Sequence, residues 1–151
     1  MPSRRQASLH TAVVWGLLAS TGLLPRFALA LGKEAFEAKS LQEALETLGA
    51  GALTESSEVT LSVPESAENG ALVPVAVSTT APGAKRLLIL VEKNPVPLIA
   101  VFNLSESVEP ALSTRVKMAQ SSAVYGVAIT ADGQTLYSRK EVRVTVGSCD
   151  I

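Results

Sequence analysis

The chain has 151 residues, 13 basic and 14 acidic side chains, one histidine, one tryptophan and one cysteine, with a net charge of −1. That near balance gives no basic field for nucleic acid. A 47% hydrophobic composition at this length suits one domain with an adequate core.

The first thirty residues read as an export signal. Arg4 and Arg5 form a basic start, Thr11 to Leu24 an apolar stretch short for a membrane span, and Ala28-Leu29-Ala30 a small-x-small cleavage site. Ser3-Arg4-Arg5 resembles the opening of a twin-arginine signal, with Arg26 as a second hint, although Ala7 and Ser8 stand where bulky apolar residues are usual. An ordinary secretory signal is the alternative, and both export the mature protein. Cleavage after Ala30 removes His10, Trp15 and three arginines, leaving ten basic against 14 acidic residues, a net charge of about −4.

Lys33 to Leu48 reads as one helix: Ala38, Leu41, Leu45 and Leu48 recur at helical spacing, Glu34 and Glu37 suit the first turn, and Gly49 stops it. Alternation and turn chemistry follow. Val59–Val63, Val73–Val77, Leu87–Val91, Leu98–Phe102, Leu112–Met118, Ala123–Thr130 and Leu136–Val146 each fit a strand. Between them stand Glu68-Asn69-Gly70, Pro82-Gly83, Asn94-Pro95, Glu109-Pro110 and Asp132-Gly133, the last a strong hairpin signal. Strands at this spacing predict an all-β, immunoglobulin-like antiparallel β-sandwich with a short N-terminal helix, without that fold's tryptophan and disulfide.

Pro74, Pro95 and Pro97 cannot donate to a ladder and belong at edges or strand starts, and an open sheet edge could accept a partner strand. Alternation sets Arg115 and Lys117 opposite Val116 and Met118. They read as a solvated face, or as a basic patch with Arg139, Lys140 and Arg143 if their strands are neighbours.

Loss of His10 removes the imidazole that nucleophilic catalysis or a zinc, copper or haem site would use, and a single thiol does not hold a metal firmly. No phosphate loop or nucleotide fingerprint is present, so neither cofactor nor enzymatic activity is expected. What remains is Cys149, three residues from the end. A thiol there is poorly placed to be a core hydrophobe, and alone it forms no internal disulfide. It suits a covalent carrier that presents a group by its sulfur, or an interaction module that forms a disulfide with another chain. A thiol-dependent redox enzyme lacks a resolving cysteine or activating base.

Several strings resemble the SoxY family, the sulfur-carrier subunit of bacterial periplasmic sulfur oxidation. They are Val73-Pro74-Val75, Val91-Glu92-Lys93-Asn94-Pro95-Val96-Pro97-Leu98-Ile99-Ala100, Ser113-Thr114-Arg115-Val116-Lys117-Met118, Ala131-Asp132-Gly133 and Val142-Arg143-Val144-Thr145-Val146. The resemblance covers essentially the whole mature chain. It implies an immunoglobulin-like domain over residues 31–146 paired with a SoxZ-like subunit, and a cysteine arm over residues 147–151. Sox-type enzymes conjugate thiosulfate to the arm cysteine, oxidise the outer sulfur and hydrolyse off sulfate. The carrier thiol maps to Cys149 and the hinge to Gly147.

The arm departs from the family's Gly-Gly-Cys-Gly-Gly: here it reads Gly147-Ser148-Cys149-Asp150-Ile151. Ser148 and Asp150 stiffen a segment that glycines would leave free, and Ile151 adds a β-branched apolar end. Asp150 and the terminal carboxylate set two anions beside the sulfur, which disfavours the thiolate and repels a dianionic cargo. The resemblance therefore points to a paralogue whose arm enters different enzymes, with another sulfur species as cargo. The reach is short: Val146 to Cys149 spans about 10 Å when extended.

Overall fold

A computed structural model describes residues 32–146. The described strands all belong to one compact unit, which begins at Glu34.

Two sheets face each other. The larger contains β1 (Leu53–Glu55), β3 (Ser66–Asn69), β5 (Ala84–Val91), β6 (Leu98–Asn103), β8 (Ser122–Thr130) and β9 (Thr135–Val146). The smaller contains β2 (Val59–Ser62), β4 (Val73–Thr79) and β7 (Ala111–Val116). Their orders are β1-β9-β8-β5-β6, with β3 also on β9, and β2-β4-β7. The inward residues of the alternating strands fill the gap: Val59 and Leu61, then Val73, Val75 and Val77, meet Leu87, Ile89, Val91, Val124 and Val142.

Leu87–Val91 does not alternate in polarity, and the structure shows why: all five side chains are fully buried. Leu87, Ile89 and Val91 enter the gap between the sheets, whereas Leu88 and Leu90 point to the opposite face, where helical residues cover them. Each such side chain contributes about 1.5–3 kcal/mol by leaving water. The strand needs a layer on both sides, and the N-terminal helices supply the second one.

That helical layer corrects the single helix read over Lys33–Leu48. Residues 32–37 are helical, the chain breaks over 38–40, and a second helix, α1, runs Leu41–Thr47. Ser40 is the cause. Its backbone is extended (φ −131°, ψ 156°), its hydroxyl accepts the Glu43 amide at 3.1 Å, and the Glu43 carboxylate accepts the Lys39 amide at 2.9 Å. This reciprocal capping starts a new helix instead of continuing the old one. The far end closes as expected: Gly49 takes φ +71°, its amide donates to Glu46, and the Ala50 amide donates to Leu45.

All seven expected strands are present, with β7 ending at Val116 instead of Met118. The Asp132-Gly133 hairpin joins β8 to β9, with Ile129 paired to Thr135 and Gly133 at φ +86°. Pro95 and Pro97 precede β6. Pro74 lies in the middle strand of its sheet, as the second residue of β4. β2 stops at Ser62 opposite Ala76, so no β2 residue pairs with Pro74.

Two strands were not expected. Both β1 and β3 pair parallel to β9, so the larger sheet is mixed and not purely antiparallel. β3 also takes in Glu68 and Asn69, read from sequence as a turn. The chain turns one residue later, where the Asn69 side chain accepts the Ala71 amide at 2.8 Å.

Candidate functional site

The residues singled out from sequence, Gly147, Ser148, Cys149, Asp150 and Ile151, lie outside the described residues. What the structure describes is the root from which they depart, the last third of β9.

β8 starts at Ser122, opposite Val142, so Arg143–Val146 extend past it. They are held on one side by β3, with Ser66 paired to Arg143, Ala67 to Val144 and Asn69 to Val146. The Arg143 amide donates to Glu65 at 2.9 Å. On the other side a single side chain replaces the missing strand: the Ser121 hydroxyl accepts the Val144 amide at 2.8 Å and donates to the Val144 carbonyl at 3.3 Å.

Gly70 fastens the end. Its amide donates to the Val146 carbonyl at 2.8 Å, and its own carbonyl accepts the Met118 amide at 2.7 Å. A β-carbon on Gly70 would overlap the Met118 carbonyl oxygen and stand 3.0 Å from Val144 Cγ1 and 3.2 Å from the Val146 oxygen. Glycine is required here by close approach of three backbones, not by its dihedral range. Met118 is fully buried, which roots the contact in the core. Asn94 holds the same loop, donating to the Lys117 carbonyl at 2.7 Å and accepting the Ala119 amide at 2.9 Å. Leu72 and Val146, 65% and 58% exposed, are the large apolar side chains left open near this root.

The basic residues do not form the patch that neighbouring strands would have made. Arg115 and Lys117 are exposed beside buried Val116 and Met118, as alternation predicts, but they belong to the smaller sheet and its following loop. Arg139, Lys140 and Arg143 belong to β9 in the larger sheet. Arg139 is spoken for locally: it pairs with Glu141 and lies 5.8 Å from the Tyr125 ring, itself 5.8 Å from that of Tyr137. Burial, and then the charge of Glu92, push the Tyr125 phenol above its ordinary value.

Among the described residues no group of three or more histidine, cysteine, aspartate or glutamate side chains could hold a metal. No buried side-chain polar atom among them lacks a partner, and no helix is long and apolar enough to cross a membrane. A groove of about 360 Å³ between α1 and β1 is lined by Leu41, Leu45 and Leu53 together with Gln42 and Glu46, and one of about 370 Å³ on the smaller sheet by small polar and apolar residues. Sequence reading missed Gly70, Asn94 and Ser121 as parts of the root. Gly70 and Asn94 carried turn signals only, and Ser121 carried none.

Together the two sheets and this C-terminal root define an immunoglobulin-like β-sandwich. The profile of the sulfur oxidation protein SoxY matches residues 44–149, and the chain belongs to the SoxY family. It is similar to the sulfur carrier protein SoxY from Chlorobium limicola f thiosulfatophilum, with 32% identity and a TM-score of 0.62 over 70% of this chain and 94% of that one. The fold also resembles a superoxide reductase (neelaredoxin) from Ignicoccus hospitalis, at 17% identity and TM-score 0.50 over 57% of this chain and 78% of that one. A putative superoxide reductase from Thermotoga maritima gives 15% identity and 0.52 over 61% and 93%. At those identities the likeness is one of fold. No curated protein sequence matches.

Proposed function

We propose that this chain is a periplasmic carrier that holds sulfur intermediates covalently on Sγ of Cys149 and presents them to the enzymes that build and process them. The observation that carries this reading is that the SoxY match runs as far as residue 149, the only cysteine of the chain. Loading joins Sγ to a sulfur atom of the cargo, with the thiol proton and two electrons leaving to the conjugating enzyme. Unloading hydrolyses the outer group. The chain supplies the sulfur and the docking body and catalyses neither step itself. Residues 1–30 direct export and are cleaved off after Ala30, and a SoxZ-like subunit completes the working unit, with Sox-type conjugating, oxidising and hydrolysing enzymes as its clients. The Ser148, Asp150 and Ile151 flanks suit enzymes with a cleft open enough for side chains and cationic enough to offset Asp150.

Intact-mass spectrometry of the chain from its native periplasm, kept free of reductant, tests the reading. Reductant-labile additions of sulfur or sulfonate mass on Cys149 are expected during growth on reduced sulfur. A bare thiol, or a disulfide to a second protein that Cys149→Ser abolishes, would replace the carrier with an interaction module.

A further inference from the structure

Cys149 follows Val146 by three residues, a length of chain that spans about 10 Å at most from the end of β9. β8 no longer supports that end. In the place of a β8 residue stands the Ser121 hydroxyl, bonded to both the amide and the carbonyl of Val144. On the opposite edge the parallel strand β3 has β9 as its strand partner, and Gly70 ties its end to both Val146 and Met118. The two contacts act on the last residues of β9 from opposite sides.

Resting on the carrier reading of Cys149, we propose that Ser121 and Gly70 are positioning residues: they fix the departure point and direction of the C-terminal segment and so the volume that Sγ samples. An open β-strand end anchored by one ladder can twist and fray. Two opposed anchors remove that freedom, and with so short a segment an error in direction at Val146 passes on to the sulfur. A carrier thiol must enter an enzyme cleft, where a displacement of about 1 Å can cost two orders of magnitude in rate.

The single native cysteine makes the test direct. A nitroxide on Cys149 and a second on Lys85→Cys span the length of the larger sheet, because Ala84 pairs with Thr130 whereas Ser122 pairs with Val142. Pulsed dipolar spectroscopy on the full chain then reads the distribution of distances. Ser121→Ala is expected to broaden and shift that distribution, and to speed amide exchange of Val144 about tenfold, the equivalent of one hydrogen bond. Ser121→Thr, which keeps the hydroxyl, restores the parent distribution. Gly70→Ala gives a larger broadening. Val75→Ala, a core substitution on β4, lowers the melting temperature and leaves the distribution in place. A Ser121→Ala distribution that superimposes on the parent overturns the proposal, as does a change of equal size in Val75→Ala. The experiment involves no sulfur chemistry, so its failure is separate from that of the carrier reading, which the adduct masses decide.

Discussion

Gly126 on β8 faces Val77 on β4 across the gap between the sheets, and a β-carbon on Gly126 would stand 2.8 Å from Val77 Cγ2 and 3.3 Å from Leu61 Cδ1. The sheets come together here because one side chain is missing. Gly126→Ala is therefore expected to destabilise the fold by about 1–3 kcal/mol through overpacking. Val77→Ala alone also destabilises, by opening a cavity. Combined, the two changes offset each other, and the double variant loses less than the sum of the singles. Urea unfolding of the four proteins measures this; strict additivity would show that the contact is not the cause.

Asn94 substitutes for backbone pairing between the β5–β6 loop and the chain leaving β7, giving one hydrogen bond and receiving another. Asn94→Ala is expected to cost about 1–3 kcal/mol, since the Ala119 amide is half-buried and loses its acceptor. Asn94→Asp keeps that acceptor but sets an anion against the Lys117 carbonyl. Both variants melt lower, yet only Asn94→Ala speeds exchange of the Ala119 amide. Equal exchange in the two would contradict the assignment of the amide to this side chain.

The phenol of Tyr125 supplies a pH dependence. Burial and then Glu92 raise it above about 10, with Arg139 acting in the opposite direction. The folded state thus holds this proton more tightly than the unfolded chain does. Its contribution to stability is complete below about pH 10 and is lost as pH rises through the folded value. With Tyr137→Phe, Tyr125 becomes the remaining phenol of the chain, and its absorbance titration should reach midpoint above 10. Adding Glu92→Gln lowers the midpoint. A midpoint unmoved by Glu92→Gln would remove that carboxylate from the explanation.

How much of this was legible in the sequence differs by residue. Val73, Val75 and Val77 announced both their strand and its inward face by alternation. The run Leu87–Val91 announced a strand but not that helices would cover its second face. β1 and β3 were invisible because Leu53-Thr54-Glu55 and Ser66-Ala67-Glu68-Asn69 are short and mostly polar; their order comes from the open edge of β9, a tertiary fact. The basic residues could be assigned to strands, but which strands lie together is a matter of topology. At the site, Cys149 stood out by chemistry alone. Ser121 did not, because the group it bonds lies 23 residues further along the chain.

Ser40 offers a prediction whose sign separates the two readings of the N-terminal helical layer. If one helix ran through Lys33–Leu48, Ser40 would be an interior residue and Ser40→Ala would stabilise, alanine being the better helix former. In the structure Ser40 is an extended cap that satisfies the Glu43 amide, with Glu43 reaching back to Lys39. Ser40→Ala then removes an acceptor from an otherwise unpaired helix terminus and costs about 1 kcal/mol. Ser40→Asp, which also caps and favours the positive end of the dipole, holds stability near the parent. The signal was present as Ser40-Leu41-Gln42-Glu43, a serine followed three residues later by glutamate, but the apolar spacing from Ala38 to Leu48 runs straight across it. Periodicity reports which side chains face the core, and two helices packed on one sheet can keep the same period across a break. Thermal unfolding of the three proteins decides the point, and a higher melting temperature for Ser40→Ala would restore the continuous helix.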